Sequence, residues 1–252
     1  MSRISQKGAT GPLALVANGT FQSSTDTNLE TLLGTRWDLS DGREVRLGQA
    51  SSGTTVVPGK MYQSAALIAD HQNLATTAVV AYSNNGNIPA SVTATLGATA
   101  VTANQYTGGF LIVNDATGEG QTLKIASHPA ADASATCKFT LEDGPTTALV
   151  AATSEVSLVP ADGNAVIIMP TTATGAIFGA SLYNIAASSY GFFVTKGVTA
   201  VLNDGNLTIG SAVSISNAVA GAVENGVIAQ GFVGTAVYTG VDTEYRAVFL
   251  NI

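Results

Sequence analysis

Apolar and polar residues alternate along most of this chain with a period of two, in runs of four to seven residues set off by Gly, Asn, Asp or Pro. That period sends successive side chains to opposite faces of an extended backbone, so it predicts strands rather than helices. The clearest stretch runs from Tyr190 to Ile252. There Tyr190-Gly-Phe-Phe-Val-Thr-Lys196, Val198-Thr-Ala-Val-Leu202, Ser211-Ala-Val-Ser-Ile215, Val227-Ile-Ala229, Thr235-Ala-Val-Tyr238 and Tyr245-Arg-Ala-Val-Phe-Leu-Asn-Ile252 are rich in β-branched and aromatic residues, and no proline interrupts them. Asn203-Asp-Gly205 and Glu224-Asn-Gly226 separate them as hairpin or loop signals.

Upstream, Trp37 to Leu47 reads as a hairpin turning at Asp41-Gly42, and Thr54 to Ser64 as two strands broken at Pro58-Gly59. Further strands are predicted over 91–96, 109–113, 122–126, 135–141, 155–158, 165–169 and 177–182. The best short helix is Thr25 to Leu33, capped by Asp26 or Thr27, with Leu29, Leu32 and Leu33 on one side. Ala148 to Ala152 fits either a helical turn or a loop. The first 25 residues show neither period and read as a flexible N-terminal arm, since ordering each residue costs roughly 1–2 kcal/mol that a contact surface must offset. The expected fold is therefore mainly β: β-sandwich or barrel-like modules with that arm and at most one or two short helices. The expected division is an arm (1–25), an N-terminal β region (26–116), a middle β region (117–189) and a C-terminal β region (190–252).

Composition narrows the function. The chain has 252 residues, long enough to bury a large core, and one cysteine, Cys137, which excludes an intrachain disulfide framework and multi-cysteine metal motifs. Charged residues make up only 11% of it, against about 25% in ordinary soluble domains, so much of the surface is expected to be covered by neighbours. A net charge of −7 argues against nucleic acid as a partner, because phosphate binding needs clustered Lys and Arg. The uncharged stretches Gln72–Asn114 and Gly163–Thr195 are interrupted by Pro and Asn, so neither reads as a membrane span. The polar opening residues do not read as a secretory signal.

The motifs that carry chemistry are incomplete. Gly53 to Met61 approaches a phosphate-binding loop but places Met61 where a hydroxyl must hold magnesium, and Gly118-Glu-Gly120 is followed by Leu123 in place of a third glycine, so a hairpin turn is the better reading. His71 and His128, the only histidines, lack a second ligand at helical spacing and read as hydrogen-bonding residues of loops or interfaces. In a strand, Asp70 would point away from His71. Ser181 lacks a nucleophile-elbow glycine, and Cys137, in the alternating Ala135-Thr-Cys-Lys-Phe139, reads as a buried small hydrophobe with Lys138 facing outward. The acids at Glu142-Asp143 and Asp242/Glu244 lie in turn sequences, and Asp115, Glu119, Asp132 and Asp162 lack calcium-loop spacing. No catalytic, cofactor-binding or metal-binding residue is therefore assigned, and no cofactor is expected.

The final third carries a resemblance. Ser189-Tyr-Gly-Phe-Phe-Val-Thr-Lys-Gly197, Leu202-Asn-Asp-Gly205, Ile209-Gly-Ser-Ala-Val213, Ala220-Gly-Ala-Val223, Gly231-Phe-Val-Gly234 and Tyr245-Arg-Ala-Val-Phe-Leu250 resemble the head decoration and cement proteins of tailed bacteriophages. Upstream, Ser40-Asp-Gly-Arg43, Pro58-Gly-Lys-Met-Tyr-Gln63, Asn104 to Val113, Gly118 to Ser127 and Leu158-Val-Pro160 are similar to virion proteins of aquatic phages. The family's aromatic after Tyr-Gly is often tryptophan; here it is Phe192. The resemblance implies a structural protein on the outer surface of the virion capsid, usually trimeric, that binds the major capsid protein and braces the shell against packaged DNA. Partners are then that protein and copies of this chain, with no nucleic acid and no membrane. Candidate interface anchors are Phe21, Trp37, Tyr62 and Tyr82, since aromatics dominate contact energy. Alternatives are a tail tube or fibre component, or a carbohydrate-binding or hydrolytic β-protein.

Overall fold

The structure, a computed structural model, describes residues 20–80, 89–226 and 231–252 with the short segments 4–5 and 16–17. In chain order the strands begin with β1 (Ile4–Ser5), β2 (Val16–Ala17), β3 (Thr20–Phe21), β4 (Arg36–Leu39), β5 (Glu44–Gln49), β6 (Met61–Gln63), β7 (Leu74–Val80), β8 (Ser91–Thr95), β9 (Phe110–Asp115) and β10 (Thr122–Ser127). They continue with β11 (Thr136–Leu141), β12 (Glu155–Val159), β13 (Ile167–Ile168), β14 (Ile177–Ser181), β15 (Tyr190–Leu202), β16 (Ala212–Ile215), β17 (Val223–Asn225), β18 (Phe232–Ala236) and β19 (Tyr245–Asn251). The fold is mainly β, as the two-residue period predicts. Among the described residues no helix is long and apolar enough to cross a membrane.

The strands form two units, one of residues 1–66 with 162–252 and one of residues 67–161. These boundaries differ from the expected ones at 116/117 and 189/190. Residue 116 lies in the turn between β9 and β10, which pair with each other, and Tyr190 opens a strand that pairs with β5 far upstream. Sequence order conceals both pairings, because strand partners need not be neighbours along the chain.

The unit of residues 67–161 is a closed antiparallel barrel in the order β10-β11-β8-β7-β12-β9. Closure leaves no strand edge unpaired. Its interior is built by alternation: Cys137, Phe139 and Leu141 of β11 point inward while Lys138 points out, and Val92, Leu111, Val113, Ile125, Val156 and Leu158 are fully buried with them. Gly118 and Gly120 have φ of 88° and 84° and form the β9–β10 turn, so the apparent nucleotide fingerprint is a hairpin.

The other unit holds an eleven-stranded sheet with the path β1-β4-β5-β15-β19-β18-β16-β17, to which β14, β6 and β13 are added beside β15. The expected Trp37–Leu47 hairpin is present: Trp37 pairs with Val45, and Gly42 takes the left-handed turn position at φ 84°. The expected helix is a 3-10 helix over Thr27–Leu32, capped by Asp26, whose side chain accepts the Asn28 N–H at 3.0 Å; Leu29 is buried beneath it. Thr54 to Ser64 yields one strand rather than two. Before Pro58 only Val56 pairs, in an isolated bridge to Ile185. Glu224-Asn225 lies inside β17, not in a turn, while Val227 to Ala229, expected as a strand, falls outside the described residues.

Of the expected arm, residues 1–3, 6–15 and 18–19 lie outside the described residues. Ile4–Ser5 pair with Leu39–Asp38, β2 pairs with β3, and Ser24 exchanges backbone hydrogen bonds with Tyr190 at 3.0 and 2.7 Å. The two strands expected at 190–196 and 198–202 are one, β15, which passes through Gly197 at φ 101°. A side chain at Gly197 would meet Arg43, its Cβ lying 2.9 Å from Arg43 Cγ. Glycine lets the strand run on where another residue would be strained.

Candidate functional site

Three of the four proposed aromatic anchors can be placed, and all three pack against the interior of their own unit. Trp37 is 1% exposed and meets the edge of Phe192 at 5.2 Å between ring centroids. Tyr62, also 1% exposed, packs edge-on against Phe193 at 5.5 Å, and its hydroxyl accepts the Val57 N–H at 2.7 Å. Phe21 is half-buried, stacked on Tyr183 at 5.6 Å. Tyr82 lies outside the described residues.

The groups capable of chemistry are dispersed. Ser181 is buried and donates its hydroxyl to the Tyr183 carbonyl at 2.6 Å. Glu142 pairs with Lys124 at 3.0 Å, Glu244 with Arg246, Asp162 with Arg46, and Asp242 accepts the Gly205 N–H at 2.8 Å. Among the described residues no three His, Cys, Asp or Glu side chains are grouped to hold a metal ion. Gly59, from the phosphate-loop-like stretch, has φ 72° and lies under the Tyr245 ring; a Cβ there would sit 2.5 Å from Tyr245 Cδ1.

The barrel brings together what the sequence scatters. His71, Tyr106, His128 and Cys137 are each buried and meet at one place. His71 Nε2 faces the Thr99 carbonyl at 3.0 Å, so it carries the proton; Nδ1, 2.7 Å away, accepts from the Tyr106 hydroxyl. The Tyr106 backbone N–H donates to His128 Nε2 at 2.9 Å, which places the His128 proton on Nδ1, facing the Pro129 carbonyl at 2.9 Å. Cys137 Sγ donates to the same carbonyl at 3.6 Å. Burial pushes the Tyr106 phenol up to about 12 and the Cys137 thiol up to about 11, which leaves both protonated and unreactive at neutral pH. Asp70 does not turn away from His71: both sit in a 3-10 turn and both reach Thr99, Asp70 accepting its hydroxyl at 2.6 Å.

The other distinctive feature is a bare apolar face. The first six residues of β15 are all buried, whereas from Lys196 onward exposed and buried positions alternate. The exposed positions carry Val198 and Ala200 where polar residues are the rule. Val198 pairs directly with Phe249 of β19, Ala200 with Ala247 and Leu202 with Tyr245, and the Val237 N–H donates to the Ala247 carbonyl at 3.1 Å, which extends the face by one strand. Val198 is 48% exposed, Tyr245 49% and Phe249 41%. Val237, 41% exposed, lies on the same side as Ala247. A shallow groove crosses the face, walled by Pro58-Gly59, Ser181-Leu182 and Tyr245. At its rim Arg43 pairs with Asp41 at 2.6 Å and holds that carboxyl below its usual range, Arg246 pairs with Glu244, and Lys196 is exposed at the preceding outward position of β15.

Sequence reasoning missed this face, because Val, Tyr and Phe in strand-like runs read as core. The available signal was the absence of polar alternation in Val198-Thr-Ala-Val-Leu202 opposite Tyr245-Arg-Ala-Val-Phe249. Comparison with family models, with curated proteins and with solved structures finds no match to this chain.

Proposed function

We propose that this protein is a head decoration or cement protein of a tailed bacteriophage. It binds the outer surface of the major capsid protein lattice, assembles with its own copies as a trimer, and braces the shell against the pressure of packaged DNA. The observation that carries this reading is the bare apolar face of β15, β19 and the segment after β18, in a chain where, among the described residues, no three His, Cys, Asp or Glu side chains are grouped. The resemblance of residues 189–250 to such proteins supplies the shell as the host.

The occupant we assign to the face is a second copy of this chain. A chain of net charge −7 repels its copies, but at this face the carboxylates Asp41 and Glu244 are already paired with Arg43 and Arg246 and the exposed Lys196 is positive, so no unpaired carboxylate of the rim opposes the contact. Fully burying a Val or Phe side chain is worth roughly 1.5–3 kcal/mol, so covering half-exposed Val198, Tyr245 and Phe249 contributes about 3 kcal/mol per copy. For a trimer the contact is head-to-tail around a threefold axis, one side of the face on each copy meeting the other side of the face on the next, which closes the ring.

Two measurements test the reading. Sedimentation of the purified chain is expected to give a trimer, and V198E/F249E a folded monomer with unchanged circular dichroism; a wild-type monomer overturns the assignment of the face. Added to phage heads that lack it, the protein is expected to appear by cryo-EM as outer density repeated over the capsid lattice. Density confined to the tail, or none, overturns the decoration reading.

A further inference from the structure

We infer that the His128–Tyr106 contact is an acid-operated latch, which frees the Tyr106 amide within the Thr102–Gly109 turn when His128 takes up a proton, while the backbone bonds of Asn104, Gly108 and Gly109 keep the turn on the barrel. The turn contains Tyr106, whose two ends are held by the two histidines: its hydroxyl by His71 and its backbone N–H by His128. The same segment is joined to the start of the β10–β11 connection, the Asn104 N–H donating to the His128 carbonyl at 3.0 Å and the His128 N–H to Asn104 Oδ1 at 3.2 Å. His128 is thus the post to which the turn is tied.

The two histidines differ in how they receive a proton. A proton on His71 Nδ1 faces the Tyr106 hydroxyl, which rotates and becomes the acceptor, so that contact survives. A proton on His128 Nε2 faces the Tyr106 amide N–H, a donor fixed by the backbone. Two donors then oppose each other with no rotation available to either, and the hydrogen bond is lost. The groups facing His128 offer a cation no counter-charge: Tyr106, His71, the Cys137 thiol at 4.0 Å and the Phe139 ring at 5.1 Å. Of the nearby carboxylates, Asp70 is engaged by Thr99, and Asp132 is exposed in the connection to β11. Burial, opposed in part by the Pro129 carbonyl and reinforced by charge on His71, holds the His128 ring below the usual imidazole range. The latch therefore stays closed at neutral pH and opens only in acid.

The direct readout is the Tyr106 amide. Hydrogen exchange on the full chain, expressed as a protection factor to remove the intrinsic effect of pH, is expected to show this amide losing about tenfold or more of its protection between about pH 7.5 and pH 4.5, as one imidazole hydrogen bond is lost. Barrel amides such as those of Val92 and Leu158 keep theirs. H128Q places a non-titrating acceptor at the same site and is expected to abolish the pH dependence, whereas H71Q retains it. Unchanged Tyr106 protection while the His128 ring titrates overturns the latch, and so does simultaneous loss across the whole barrel, which is acid unfolding. If H128Q fails to fold, the wild-type titration of ring and amide decides alone.

Discussion

Phe192 and Phe193 are consecutive residues of β15 that belong to two different cores. Phe192 packs with Trp37, Val45 and Val248, and Phe193 with Tyr62, Phe178 and Ile185, and both are completely buried. The first half of β15 is covered on both faces, which is why its run Tyr190-Gly-Phe-Phe-Val-Thr195 is apolar without alternation. F192A and F193A are each expected to cost about 3–5 kcal/mol. The two losses are expected to be nearly additive in denaturant unfolding, because the side chains act on opposite faces. Strong coupling between them would show that the cores behave as one.

Gly59 and Tyr245 make the second close relationship. The left-handed φ and the ring above it both oppose a side chain, so G59A is expected to lower stability by at least about 1 kcal/mol. Adding Y245A removes the collision and leaves the backbone strain, and thermal melts of G59A and G59A/Y245A separate the two contributions.

Cys137 offers a probe of the barrel. Its thiol is buried and pushed up to about 11, so alkylation at about pH 8 is expected only as fast as the barrel opens. Mass spectrometry after iodoacetamide treatment, with and without denaturant, measures this. Rapid labelling of the native chain would contradict the burial described.

Alkaline stability follows from Tyr106. Its phenol ionises near 10 when unfolded and at about 12 in the barrel, so the folded state keeps its proton over a range where the unfolded state has lost it. The contribution is fully present below about pH 10 and is lost as pH rises toward 12. Denaturant midpoints are expected to fall across that window, and Y106F to lessen the fall by its own share, since burial also raises Tyr62, Tyr183, Tyr190 and Cys137, while costing about 1–2 kcal/mol at neutral pH for the acceptor left bare on His71.

Truncation tests which of the first 25 residues the fold needs. Phe21 stacks on Tyr183 and Ser24 pairs with Tyr190, so these residues belong to the fold, and removing residues 1–25 would damage it. Removal of residues 1–19 takes away β2 and the edge strand β1 from β4, and is expected to lower the thermal transition by a few degrees while leaving the chain folded. Under the proposed function it weakens attachment to phage heads, which a co-sedimentation assay reads; undiminished attachment would remove the arm from the mechanism.

Local signals carried much of the fold. The two-residue period located β8 to β12 and β14 to within a few residues, Asp41-Gly42 marked its turn, and Asp26 marked the start of the 3-10 helix. These features depend on interactions a few residues apart, which a linear reading captures. In the sequence Gly197 marks a break, as glycine often does; only the approach of Arg43 and the left-handed φ show why glycine continues the strand there.

The amino-acid sequence alone determined that the chain is built of strands, with one cysteine and two histidines and little charge to hold at its surface. Tertiary structure decided which strands share a sheet, where one unit ends and the other begins, and which apolar residues stay bare. It also decided that Trp37 and Tyr62 face inward while Tyr245 and Phe249 remain exposed, and that His71, Tyr106, His128 and Cys137 meet in one barrel. The reason is physical: periodicity assigns a side chain to a face, but whether that face is covered depends on strands and layers brought from distant parts of the chain.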